Sequence, residues 1–174
     1  MDARRRDVLK LAAVAALAGR ADAFVGASTR SPTDVSTGMQ SRPLMTLRLM
    51  TAPTQDIGAG PHGMRVTFPI IGGAFEGDRL RGKVLPGGND WTIRRGDGVL
   101  ELDLRITLQT DDGALIHMSF DGIRDDGVQG ASYFRTMTRL ETADSRYSFL
   151  NRLLAVGTGE IRADGPVHVI EELL

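Results

Sequence analysis

The chain of 174 residues contains no cysteine. That excludes disulfides, thiol catalysis, cysteine-ligated zinc and iron–sulfur clusters, so the fold must rest on its hydrophobic core. Lysine is nearly absent: Lys10 and Lys83 are the only two, and arginine carries the rest of the positive charge. The net charge of −1 comes with no basic stripe and no charged tail, so nucleic-acid binding has no electrostatic footprint. No apolar run is long enough to cross a bilayer as a helix. The three histidines, His62, His117 and His168, lie far apart without a paired metal-ligand spacing. No Gly-x-Ser-x-Gly elbow and no phosphate loop is present. The glycines of Gly72 to Gly77 precede no helix, so they are not a dinucleotide fingerprint. Neither metal nor cofactor is expected.

What is present begins with an address. Arg4-Arg5-Arg6-Asp7-Val8-Leu9-Lys10 is a twin-arginine pattern, Leu11 to Ala18 is a short Ala-rich apolar segment, and Ala21-Asp22-Ala23 fits a small-x-small cleavage site. Together they predict a signal peptide over 1–23, export by the twin-arginine (Tat) machinery, and a periplasmic destination. Residues 24–41 are rich in Ser, Thr, Gly and Ala without periodicity and read as a flexible linker. A single domain is expected over 42–174.

In that domain the apolar residues alternate with period two. Strands are predicted over 43–51, 63–71, 79–85, 89–95, 99–110, 114–124, 131–141, 153–162 and 167–173. Gly72-Gly73 and Gly77 are read as a turn, and Pro69 as an edge or bulge position. Ser145 to Asn151 reads as a short helix with Asp144 as its N-cap. Eight or nine short strands joined by regular turns imply an all-β fold, an antiparallel up-and-down barrel, which removes exposed edges. A barrel of that size holds packed side chains or one small ligand.

Two hairpins carry most of the detail. In Val99 to Gln109, Leu100, Leu102, Leu104, Ile106 and Leu108 share one face, and Glu101, Asp103, Arg105, Thr107 and Gln109 the other. Turning at Thr110-Asp111-Asp112-Gly113 with Thr110 against Ala114 sets Leu104 opposite Phe120, Thr107 opposite His117 and Asp103 opposite Asp121. In the preceding hairpin Asp97-Gly98 reads as a two-residue turn pairing Gly96 with Val99. That register sets Trp91 opposite Leu104 and Asp90 opposite Arg105. It places Asp90, Asp103, Arg105 and His117 on one polar face. The sequence leaves open whether the leucine face fills the barrel or the charged face lines it.

The segments 72–77, 80–91, 97–98, 102–105, 110–113, Tyr133-Phe134-Arg135-Thr136 and Tyr147-Ser148-Phe149-Leu150-Asn151-Arg152 resemble the domain of unknown function 3237 family, also called uncharacterised protein family 0311. The resemblance runs from about Pro43 to Leu174 and implies a small, calycin-like antiparallel barrel. It implies no established activity. His117 departs from it where an aromatic residue, often Tyr, is usual, and Leu140 where Phe is common.

The candidate catalytic residues are Asp90, Asp103, Arg105 and His117: an acid or imidazole to move a proton, and a guanidinium to hold an oxyanion. Trp91, Tyr133, Arg135, Glu141, Tyr147 and Asn151 form the candidate ligand-binding set. Each has a structural alternative: an ion-pair ladder for the charges, an exposed sheet histidine, and packed aromatics. Three functional readings remain. The first is a barrel binding a small, partly apolar, oxygenated organic molecule. The second is a cofactor-free isomerase, cyclase or lyase acting on such a molecule. The third is a structural module whose leucine face makes a homo-oligomer.

Overall fold

The computed structural model describes residues 38–127 and 132–174. The proposed signal peptide and nearly all of the linker lie outside these residues. Ten strands follow in chain order: β1 (Ser41–Thr51), β2 (Gln55–Gly60), β3 (Gly63–Glu76), β4 (Arg81–Val84), β5 (Gly88–Arg94), β6 (Leu100–Thr110), β7 (Leu115–Asp125), β8 (Tyr133–Glu141), β9 (Ala155–Arg162) and β10 (Gly165–Leu173). A 3-10 helix, Ser145–Arg152, links β8 to β9, and Asp144 caps it by accepting the Arg146 amide at 3.0 Å. No helix among the described residues is long and apolar enough to cross a membrane.

All neighbouring strands are antiparallel, in the order β1-β10-β9-β8-β7-β6-β4-β3, and β1 pairs with β3 to close an eight-stave barrel. β4 and β5 share one stave, because both lie between β3 and β6. The expected up-and-down barrel is therefore the observed fold. β2 was not expected. Gly58, Gly60 and Pro61 break any alternation there, yet Gln55–Gly60 pairs along the first half of β3. Gly72 and Gly73 do not form a turn but continue β3. Their place in it follows from crowding: a Cβ on Gly73 would lie 2.1 Å from the Arg48 carbonyl oxygen. Pro69 sits beside the bulge where β3 changes neighbour, and its carbonyl accepts the Ala52 amide at 2.9 Å.

The leucine face of β6 points inward. Leu104 and Leu108 are fully buried, as are Ile116 and Met118 opposite that face on β7. Each such side chain stabilises the fold by about 1.5–3 kcal/mol relative to exposure. The β6–β7 register is the expected one, residue for residue from Leu104↔Phe120 to Leu108↔Ile116. The third functional reading loses its surface, since the leucine face is the barrel's own core.

The β5–β6 register differs from expectation by one residue. Asp90, not Trp91, lies opposite Leu104. The cause is the turn. The Arg95 amide donates to the Val99 carbonyl and the Gly98 amide to the Arg95 carbonyl, so three residues, Gly96-Asp97-Gly98, form the loop. Gly98 takes φ +89°, the left-handed position such a loop requires. One extra loop residue turns the strand over. Asp90 and Thr92 face inward, and Trp91 and Ile93 face outward.

Candidate functional site

The two ends of the barrel are built differently. At one end the 3-10 helix closes the opening, with Leu150 fully buried and Tyr147, Phe149 and Leu153 packed against the core. The other end is open onto a cavity of about 480 Å³. Its walls are Leu49, Phe68, Ile70, Leu100, Leu102, Leu104 and Phe134, and its rim includes Arg124, Arg162 and Asp164. This is the size and lining of a site for one small organic molecule.

Besides the rim charges, two titratable side chains line this cavity: Asp90 and His168. The ladder between β5 and β6 pairs at Asn89, Asp90, Ile93 and Arg94 but not at Trp91 and Thr92. Within that gap the Asp103 amide donates to Asp90 Oδ1 at 3.1 Å. Burial pushes the Asp90 carboxyl up to about 6, against the Asp103 amide, which favours the charged form. Thr92 Oγ1 makes no well-formed hydrogen bond, although it lies close enough to Asp90 to favour the carboxylate.

His168 stands on β10, opposite Leu47 of β1 and Gly159 of β9. Its ring lies 5.0 Å from that of Phe120 and 4.9 Å, edge-on, from that of Phe134. Burial pushes the imidazole down to about 4, so it is neutral at pH 7. Its Nδ1 has no hydrogen-bond partner among the described residues, nor do the inward-facing hydroxyls of Thr136 and Thr138. Buried polar atoms of native proteins are normally paired; with Thr92 Oγ1 these make four exceptions, of which His168 lines the cavity. The sequence reading passes over His168. The available signal was its phase: it alternates with buried Ile170 rather than with exposed Val169.

The ten residues named from sequence do not form one site. Asp90 alone lines the cavity. The Asp103 and Arg105 side chains lie outside, paired with each other at 3.1 Å, and the only part of Asp103 bonded to Asp90 is its main-chain amide. His117 is exposed on the outer face between Thr107 and Glu141. Trp91 is also outside, with the Arg105 guanidinium 5.7 Å from its ring centre. Tyr147 donates to the Asp112 carboxylate at 3.1 Å, and Asn151 bonds both the amide and the carbonyl of Thr142, each at 2.8 Å. Both belong to the closed end.

An outer groove of about 830 Å³ does gather Trp91, Asp103, Tyr133 and Arg135, with Ile123 and Met137. It is larger than the cavity but shallower in chemistry. Arg135 lies over the Tyr133 ring at 5.1 Å and donates to the Phe134 carbonyl, and Met137 is 69% exposed. The titratable groups shifted by burial, a usual mark of a built site, are Asp90 and His168 of the barrel cavity.

A family model for a protein of unknown function, DUF3237, matches residues 39–172. The chain belongs to the DUF3237 family. A UPF0311 protein of Rhodopseudomonas palustris is 34% identical over 125 residues, which is 64% of this chain and 82% of that protein. The crystal structure of a β-barrel-like protein from Acinetobacter baumannii is similar at TM-score 0.73 and 32% identity, covering 79% of this chain and 97% of the other. An enzyme from Penicillium herquei has the same fold at TM-score 0.67 and 21% identity, covering 79% of this chain and 96% of that one. The two positions read from sequence as departures from the family lie apart: His117 on the outer wall, Leu140 in the core.

Proposed function

We propose that this DUF3237 protein binds one small, partly apolar, oxygenated organic molecule inside the open end of its barrel. The observation that carries this reading is the 480 Å³ cavity walled by hydrocarbon, into which Asp90 and His168 bring the polar contacts. Apolar walls supply affinity, and a few convergent polar groups set orientation. Native mass spectrometry against lactones and aromatic alcohols, ketones and acids tests it. A one-to-one adduct is expected, and it should be lost when Ile70→Trp fills the cavity. Adducts indifferent to that substitution would remove the chamber from the account.

A second reading, cofactor-free proton transfer, is supported by the pair itself: one carboxyl and one neutral imidazole in the same apolar lumen. Asp90 would take a proton from carbon or oxygen of the bound molecule and return it elsewhere, with His168 as a hydrogen-bonding partner. Asp103, Arg105 and His117 have no part in that chemistry, because their side chains point away. Incorporation of solvent deuterium into a bound ketone, followed by NMR, is the test. Incorporation equal in Asp90→Asn and the native protein would eliminate this role. Export belongs with these proposals: the Arg4 to Ala23 pattern supports Tat delivery to the periplasm, which fractionation of cells carrying Arg4→Lys/Arg5→Lys/Arg6→Lys would check.

A further inference from the structure

The charges around the cavity are unevenly placed. Asp90 is the acid within it, and His168 is uncharged. The cations among the described lining residues are Arg124 and Arg162, both at the rim. Each already has a carboxylate of its own: Arg124 is paired with Asp126 at 2.8 Å and Arg162 with Glu160 at 2.8 Å. Asp164 adds a further negative group at the mouth. An entering carboxylate or phosphate would leave water, meet the Asp90 carboxyl, and find no uncommitted cation. Burying an ion without a partner is among the most unfavourable steps in recognition. An ammonium would find one carboxylate, Asp90, but would give up its own hydration in a hydrocarbon-walled space to reach it. An uncharged hydroxyl or carbonyl compound avoids each of these costs. Asp90 can accept from a hydroxyl, and the orphan Nδ1 of His168 offers a further bond.

We propose that the chamber selects uncharged, hydroxyl- or carbonyl-bearing organic molecules and excludes acids. This deepens the barrel-binding reading and rests on it. It reverses the expectation that Arg105 or Arg135 orients an oxyanion, since both lie on the outer wall. The exclusion has a residue to answer for it. Asp90→Asn removes the negative charge while keeping size and hydrogen-bonding capacity.

The test uses three probes on one skeleton with the full chain at pH 7, by isothermal titration calorimetry: 2-naphthol, 2-naphthoate and 2-naphthylmethylammonium. The expected result is 2-naphthol at least about tenfold tighter than either charged probe. Asp90→Asn should narrow the gap, with 2-naphthoate gaining about tenfold and 2-naphthol changing little. Asp90→Leu should weaken 2-naphthol by about tenfold. Naphthoate or the ammonium binding as tightly as naphthol would overturn this selectivity and leave the barrel-binding reading standing. Binding of none of the three at millimolar concentration, with circular dichroism unchanged, would overturn both.

Discussion

The closed and open ends of this barrel answer their polar groups in opposite ways. At the closed end Asp112 receives Arg146 at 2.7 Å, the Tyr147 hydroxyl at 3.1 Å and the Thr110 hydroxyl at 2.5 Å. Asn151 and Thr142 bond each other twice, and Glu172 receives both Arg42 and Arg79. Arg79 also lies 4.5 Å above the Phe149 ring. At the open end Asp90 has one main-chain bond, and the His168 Nδ1 has no partner among the described residues. Fully answered networks hold a structure in one arrangement, whereas unanswered buried groups lower stability and persist where function retains them. The helix end is closely bonded, and the open end keeps buried polar groups short of partners.

The largest effect that would sharpen this contrast is in packing. Leu150→Ala opens a void under the helix and should cost about 2–5 kcal/mol in urea unfolding. Leu100→Ala, on a wall that already borders empty space, should cost distinctly less because no new cavity forms. Equal costs at the two positions would mean that the open end is packed as tightly as the closed one.

Next in size is the pH dependence of stability. The His168 imidazole sits near 4 in the folded protein and near 6.5 when unfolded, so the unfolded chain binds the proton first. Its contribution is present above pH 6.5 and is lost as pH falls towards about 4. The Asp90 carboxyl sits near 6 folded and near 3.8 unfolded, so the folded chain binds the proton first. That contribution is present below pH 3.8 and is lost as pH rises through about 6. Each amounts to about 3 kcal/mol and the two oppose each other between about pH 4 and 6. Relative to the native protein, His168→Leu should therefore show stability falling as pH rises through this window, and Asp90→Asn stability rising. Denaturant midpoints at half-unit pH steps measure both. Parallel profiles in all three proteins would place both groups in water.

Smaller effects follow at single hydrogen bonds. Asn151→Ala leaves the amide and carbonyl of Thr142 without their partners and should cost about 1–3 kcal/mol. Thr136→Val removes a hydroxyl that bonds nothing and should be neutral or slightly stabilising, by up to about 1 kcal/mol. Thermal unfolding of the pair ranks them. A Thr136→Val loss as large as that of Asn151→Ala would show the open end to be as fully bonded as the helix end.

The two central hairpins show what was legible in the sequence and what was hidden. Arg95-Gly96-Asp97-Gly98-Val99 and Thr110-Asp111-Asp112-Gly113-Ala114 form the same turn, with Gly98 at φ +89° and Gly113 at φ +90°. The second was readable because leucines and isoleucines alternate on both sides and admit one register. The first was not. In Asn89 to Arg94 the apolar residues are Trp91 and Ile93, and burying them is the natural choice. The protein instead turns Asp90 and Thr92 inward and leaves Trp91 and Ile93 beside Arg65 and Arg105 on the outer wall. A polar row inside a barrel is what a binding chamber requires, and it is the pattern that a hydrophobicity argument rejects. The same bias hides His168, which stands between Val167 and Val169. Barrel closure, the core of β6 and β7 and the capped helix follow from periodicity and turn chemistry; the cavity's chemistry follows from exceptions to them.

The most direct test is a ¹³C NMR titration of the Asp90 carboxyl in the native chain, assigned by loss of its signal in Asp90→Asn. The account predicts a midpoint near 6, displaced when 2-naphthol is added. A midpoint near the ordinary value of 3.8, unmoved by the probe, would place Asp90 in solvent and contradict the inward register on which the chamber depends.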